Sequence, residues 1–223
     1  MIEFSKLYDL ACARKGGEAE LKQLLPKPKS KAALKKITDD RYLATMTEYI
    51  FKAGFVWRVI DSKWDDFETV FSGFVPAYWA QVPDEVLEGL AKDARIVRNM
   101  QKIKTVRDNA LMIVDVQKSS GSFSQFIAEY PMHEQIHLFE FLKKQGSRLG
   151  GNSATYFLRS LGVDVFIFSN DVVTALIREG VIDKAPTSKK LKQQAQDAFN
   201  IWHEESGLSY SQLSRVLAMT VDS

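Results

Sequence analysis

The sequence predicts an all-α fold assembled from many short helices. Apolar residues recur at three- and four-residue spacing in most segments. Glycines, prolines and capping residues interrupt those segments at short intervals. No repeat of solenoid length and no sustained heptad register is present, which excludes a repeat array and a coiled coil.

Residues 2–15 read as an amphipathic helix with Phe4, Leu7, Tyr8 and Ala11 on one face, broken by Gly16-Gly17. Residues 18–25 suit a second helix. The lysine- and proline-rich segment 26–31 reads as an exposed linker, with a phosphate-binding arm as the alternative. Asp39-Asp40 can cap the next helix. The run from Tyr42 to Trp57 is so apolar that it must be buried along much of its surface, which puts Glu48 in poor solvent. Trp57, Ile60, Trp64, Phe67 and Phe71 continue the helical spacing. Pro76 and Pro83 bracket Tyr78-Trp79, and Asp84 is placed to cap the following helix.

From Arg95 the apolar residues Ile96, Met100, Ile103, Val106, Ala110 and Ile113 predict one long helix, ending at Ser119–Ser122. Segments 122–130 and 137–144 are helical. Then come the glycine turn Gly150-Gly151, a helix over 154–161 that stops at Gly162, and a β-rich link from Val163 to Phe168. The link delivers Ser169-Asn170-Asp171 to the mouth of a helix over 171–179. A basic stretch from Lys184 to Lys192 starts another helix, and residues 209–219 form the last.

Composition excludes several classes. A net charge of +2 does not by itself indicate nucleic acid, so only local clustering could. The single cysteine, Cys12, forbids an internal disulfide and argues against a cysteine-rich zinc site. No apolar run has the length of a membrane span, and the charged N-terminus lacks a signal-peptide core, so the chain reads as cytoplasmic. Walker, Rossmann, zincin and nucleophile-elbow signatures are missing.

The turn from Arg148 through Leu149, Gly150, Gly151, Asn152 and Ser153 has a specific use. Glycines let backbone approach another group closely. The first N–H groups of the following helix lack intrahelical partners and favour an anion. Lys143, Lys144 and Arg148 add positive charge beside them. The plain alternative is a helix–turn–helix corner that binds nothing.

This pattern of glycine turn, helix, Gly162 and a downstream aspartate resembles the helix-hairpin-helix region of base-excision DNA glycosylases, with Gly150 matching the hairpin's second glycine and Asp171 the catalytic aspartate. Ser147 and Arg148 stand where those enzymes carry proline and glycine. A second resemblance covers residues 39–182. The block Leu90 to Asn99, with Lys102-Ile103, Asn109-Ala110, Ala53-Gly54 and Trp57, is similar to the 3-methyladenine DNA glycosylase I family. That resemblance implies a two-lobed helix-hairpin-helix fold with a cleft between the lobes, a glycosylase core over 39–182, an N-terminal extension over 1–38 and packing helices over 183–223.

The implied chemistry is hydrolysis of the N-glycosidic bond of an alkylated purine, with 3-methyladenine foremost, in double-stranded DNA by a monomer without cofactor. Asp171 and Glu48 are the implied catalytic carboxylates, and Tyr49, Phe55 and Trp57 the implied base pocket, whose electron-rich rings suit a cationic base. The hairpin residues, Lys143 and Lys144 are the implied DNA contacts. The family's base-recognising glutamate falls four residues before the alanine of Ala53-Gly54, where this chain has Tyr49, one residue after Glu48. One residue turns a helical side chain by about 100°. Either the helix is locally adjusted or Glu48 has a different task. Asn152 occupies the place of the Schiff-base lysine in bifunctional relatives, which implies no lyase activity. The missing C-terminal cysteine and histidine ligands imply no structural zinc. The alternatives are a non-catalytic helix-hairpin-helix module that binds DNA structure or damage, and an all-α protein-interaction domain.

Overall fold

A computed structural model of the chain describes residues 2–221, and all described regular structure is helical. In order, the helices are α1 (Phe4–Lys15), α2 (Glu18–Leu24), α3 (Lys31–Leu34), α4 (Asp39–Lys52), α5 (Trp57–Asp61), α6 (Trp64–Val70), α7 (Pro76–Trp79) and α8 (Asp84–Leu90). They continue as α9 (Met100–Ser120), α10 (Phe123–Glu129), α11 (Gln135–Gln145), α12 (Asn152–Ser160), α13 (Asn170–Arg178), α14 (Lys189–Ser206) and α15 (Tyr210–Met219). Single 3-10 turns lie at Ser72–Phe74 and Met132–Glu134. No described helix is long and apolar enough to cross a membrane. The chain divides into two compact units, neither continuous in sequence, so their limits differ from boundaries at 38/39 and 182/183.

One unit comprises the chain up to Pro28, Pro131–Leu138 and everything from Asp164 onward. Its core is aromatic: Phe166 stacks on Phe199 at 4.3 Å, and Phe199 meets Trp202 edge-on at 5.7 Å. The link 163–168 is not a strand. Val165, Phe166 and Ile167 are buried, so its backbone needs partners other than a ladder. Gln135 Oε1 accepts from Phe166 N at 2.8 Å, and Ser214 Oγ accepts from Ile167 N at 3.1 Å. Asp164, at the start of the link, accepts from Tyr210 N at 3.1 Å and Ser211 N at 2.8 Å, which caps α15.

The other unit holds residues 29–130 and 139–163, with α4 and α9 packed at its centre. Helix α4 buries Tyr42, Leu43, Met46, Ile50 and Phe51, as its apolar run requires. Asp39 does not cap its own helix. Its carboxylate accepts from Phe123 N at 2.8 Å, Ser124 N at 3.0 Å and Gln117 Nε2 at 2.8 Å, which caps α10 instead. Asp84 likewise lies inside the first turn of α8, after Pro83, and pairs with Arg107. The long helix begins at Met100 rather than Arg95. Asp93 holds Arg95 N at 2.9 Å in a turn, and Asn99 supplies the cap by accepting from Lys102 N at 3.2 Å.

Two buried polar side chains of α9 tie other elements to it. Lys102 donates to the carbonyls of Phe51 at 3.0 Å and Ala53 at 2.6 Å, groups that the end of α4 leaves without helical partners. Burial, reinforced by Arg148, holds its ammonium below the ordinary lysine range. Asn109 accepts from Ser147 N at 2.7 Å and donates to Ser147 O at 3.2 Å, which fixes the turn after α11. That turn is tight at Gly146, where an added Cβ would lie 2.6 Å from Leu149 Cδ1 and 2.7 Å from the Leu142 carbonyl.

Gly146→Ala is therefore expected to cost about 1–3 kcal/mol in urea unfolding, the scale of overpacking a filled interior. An unchanged midpoint would contradict the close packing at this turn. Lys102→Met strips two carbonyls of their donor and is expected to cost about 1–3 kcal/mol. Amide exchange should quicken across 53–57 ahead of the middle of α9, and equal exchange in wild type and variant would refute the clamp.

Candidate functional site

Three helices of the α4–α9 unit bring aromatic rings together. Tyr49 comes from the last turn of α4, Trp57 opens α5, and Tyr156 lies one turn into α12. Tyr49 and Tyr156 are parallel, 6° between planes, with centroids 6.1 Å apart. Trp57 stands perpendicular to both, at 5.7 Å from each. Trp57 is 45% exposed, so the group opens to solvent rather than closing as core. Flat walls at right angles around an open face suit a planar ligand. Phe55 is not part of this group. It lies over the Lys102 ammonium at 4.4 Å and is 41% exposed, beside Val56 at 70%.

Helix α4 runs without a bulge to its end, where Ala53 N donates to Tyr49 O at 3.1 Å. No local adjustment moves Glu48 into the position of Tyr49. Glu48 instead accepts from Lys52 Nζ at 2.6 Å, one turn along. Lys52 also reaches Asp61 at 2.7 Å, the residue one turn after Trp57 on α5. Its ammonium lies 5.1 Å from the Tyr49 centroid and 5.3 Å from that of Trp57. Burial alone would lower the Lys52 pKa, but the Asp61 and Glu48 carboxylates outweigh it and raise it, so the side chain stays charged. The ring site thus already contains a cation, where the electron-rich faces alone suggested room for a cationic base.

The turn before α12 supplies the second feature. Arg148 takes a left-handed conformation at φ 58°, and Gly151 precedes the helix at φ 59° without a side chain to cap it. Leu149 is buried, so only its backbone can meet a ligand. Lys143, Lys144 and Arg148 are exposed on the same stretch, and the Arg148 guanidinium donates to Gln101. Gly150, Gly151, Asn152 and Ser153 follow with at most partial burial. The approach to the helix N-terminus is therefore basic and open, the electrostatics an anion requires.

Asp171 belongs to the other unit. Helix α13 begins at Asn170, and Ser169 caps it by accepting from Val172 N at 3.3 Å. The capping role that Asp171 could have filled is taken by Ser169. The Asp171 carboxylate sits half-buried in the first turn.

Other features are unsuited to this chemistry. A groove of about 610 Å³ between the start of α1 and the end of α14 is walled by Glu3, Asp9 and Glu205, which repel a polyanion. Burial, Glu18 and Asp9 push the Cys12 thiol up, away from a nucleophilic thiolate. Among the described residues, no three histidine, cysteine or carboxylate side chains are grouped to hold a metal ion.

Lys52, Asp61 and Tyr156 were not legible as site residues from composition or motif. The spacing of Glu48 and Lys52 does signal an ion pair on one helix face. The approach of Tyr156 comes from tertiary packing of α12 on α4.

Residues 34–158 match the methyladenine glycosylase family. DNA-3-methyladenine glycosylase 1 of Escherichia coli (strain K12) is 24% identical over 131 residues, covering 50% of this chain and 70% of that protein. The crystal structure of 3-methyladenine DNA glycosylase I (TAG) superposes with a TM-score of 0.50 at 19% identity, over 64% of this chain and 85% of its own. The 8-oxoguanine DNA glycosylase of Methanocaldococcus jannaschii superposes with a TM-score of 0.51 at 18% identity, over 95% of this chain and 91% of its own. The two structures share the all-helical fold, and the match over more than half of the residues gives the family: this chain belongs to the methyladenine glycosylases.

Proposed function

We propose that the protein is a monofunctional DNA base-excision glycosylase that hydrolyses the N-glycosidic bond of an alkylated purine, with 3-methyladenine the foremost substrate. One observation carries the reading beyond family membership. Helix α12 offers its uncapped, basic N-terminus at the hairpin and, one turn later, the Tyr156 ring of the aromatic site. A single rigid helix thereby links a phosphate contact to a pocket for a planar base.

A base inside duplex DNA reaches such a pocket only after leaving the stack. Tyr49, Trp57 and Tyr156 would receive the extruded base. The exposed Phe55-Val56 pair on the adjoining loop fits an apolar wedge that fills the vacated stack. Hairpin N–H groups with Lys143, Lys144 and Arg148 would hold phosphates, which makes binding salt-dependent. Bond cleavage places positive charge on the sugar, and a carboxylate stabilises it. Asp171 is the proposed carboxylate, supported by its motif position and by the Ser169 cap that leaves it uncommitted at the helix start. Asn152 offers no amine for a Schiff base, so water is the acceptor of the sugar.

The runner-up is a non-catalytic module that binds damaged or distorted DNA. It draws on the regular α4 helix, which leaves Glu48 bound to Lys52 rather than presented to a base.

Methylated duplex DNA decides between them. The wild-type protein should release free methylated base, and strands should break only after heat or alkali. Asp171→Asn should slow release by about 100-fold or more while DNA binding persists, the scale of losing an electrostatic stabiliser. Binding without release by the wild type would leave the module as the function. Phe55→Ala should slow release from duplex more than from single-stranded DNA, and equal slowing on both substrates would rule out the wedge.

A further inference from the structure

The chain leaving α4 is exposed at every residue from Ala53 to Val59. It turns at Gly54, at φ 76°, with nothing within 4 Å of the place a Cβ would take. Such a segment has little packing of its own to hold it. The end of α4 ties it by one backbone bond, Phe55 N to Lys52 O at 3.0 Å. The other ties come from Lys102, which is 5% exposed. Its ammonium donates to Ala53 O at 2.6 Å on one side of Gly54 and lies 4.4 Å from the Phe55 ring centroid on the other. One buried cation therefore bridges the pivot. Capping α4 accounts for the carbonyl bonds, but it does not call for an aromatic face over the same ammonium. That face attracts the cation, and more strongly where the cation is desolvated.

The geometry points to Lys102 as the positioning residue of the wedge: it braces the Phe55 ring across the Gly54 corner, so that the loop enters the base stack as a stiff body. A residue that fills the place of an extruded base works against the restacking of its neighbours. A ring on an untied glycine corner would swing aside. Braced on Lys102, Phe55 forms the foot of the wedge, and the more exposed Val56 forms its tip. The inference rests on the reading of the Phe55-Val56 pair as a wedge and adds the residue that makes it effective.

Single-turnover base release from methylated DNA, duplex against single-stranded, provides the test. Lys102→Met should slow release from duplex about tenfold, the scale of a desolvated cation–π contact, and release from single strands much less. Phe55→Leu keeps an apolar side chain and the carbonyl bonds but removes the ring face, and it should also slow release from duplex selectively. In the Phe55→Leu background, removal of the Lys102 charge should then cost little more, because both changes break one contact. Thermal unfolding checks that each variant is folded, and Lys102→Gln, which keeps a donor for the carbonyls, replaces the methionine variant where that one is not.

Equal slowing of Lys102→Met on duplex and single strands overturns the inference, since the lysine would then serve the fold alone. So do fully additive losses in the double variant, or an unchanged duplex rate in Phe55→Leu. A second measurement keeps the wedge separate from bond cleavage. In a duplex with 2-aminopurine beside a tetrahydrofuran abasic residue, the wild type should change the fluorescence on binding, and Lys102→Met should slow that change. A wild type that releases no base but gives this signal loses the glycosylase reading and keeps the brace. A wild type that binds this duplex without any signal loses the wedge and the brace with it.

Discussion

The site in the α4–α9 unit depends on the end of α4. A helix that stops at Lys52 leaves carbonyls without N–H partners, and burial makes such groups costly. Lys102 answers that need from α9, spanning 51 positions in sequence to reach Phe51. Once those carbonyls are held, the Ala53-Gly54 corner is fixed, and with it the direction in which Phe55, Val56 and Trp57 leave the helix. Seven residues further along α9, two turns away on the same side, Asn109 fixes Ser147. One helix therefore sets both the loop that carries the ring site and the hairpin that leads into α12. The short helices α5 to α8 could not supply such a reference on their own, since helices this brief draw their stability from packing.

Much of this was legible in the sequence, for identifiable reasons. Helix α15 carries a capping box at Ser209 and Gln212, and α12 has Gly151 before it and Gly162 after it. Local signals of this kind fixed most helix limits to within a residue or two. The start of α9 was misread because Ile96 continues the apolar period although Asp93 and Asn99 organise a turn across it. The link 163–168 looked β-rich because it is apolar on successive residues, yet it is irregular and buried, with Gln135 and Ser214 doing the pairing. Both errors involve side chains that bond to backbone, an effect that periodicity does not register.

The candidate site was legible in part. Tyr49 and Trp57 stand together in the structure; a motif position had marked Trp57, and Tyr49 was a candidate as a neighbouring aromatic. Phe55 was assigned to the same pocket but lies over Lys102, because the Gly54 corner, at φ 76°, turns the loop away. Tyr156 joins by tertiary packing alone. Glu48 illustrates a different point. Its one-residue offset could be judged only by whether α4 is regular, and the Ala53–Tyr49 hydrogen bond answers that. The carboxylate then finds Lys52, and the pair converts an apparent vacancy for a cation into a filled one.

The layout of the unit around α13–α15 constrains how the chain is built during synthesis. Helix α1 packs on α14 and α15, and Trp202 donates to the carbonyl of Ile2 at 3.1 Å. Its partners are thus separated by nearly the whole described chain. The α4–α9 unit draws on residues 29–130 and 139–163, all of which are synthesised before α14. Helix α1 must therefore wait, with Phe4 short of its Trp202 contact, until α14 and α15 arrive. For the same reason a fragment ending near Val163 would hold every residue of the ring site and the hairpin but would leave α1 without α14 and α15 to pack against.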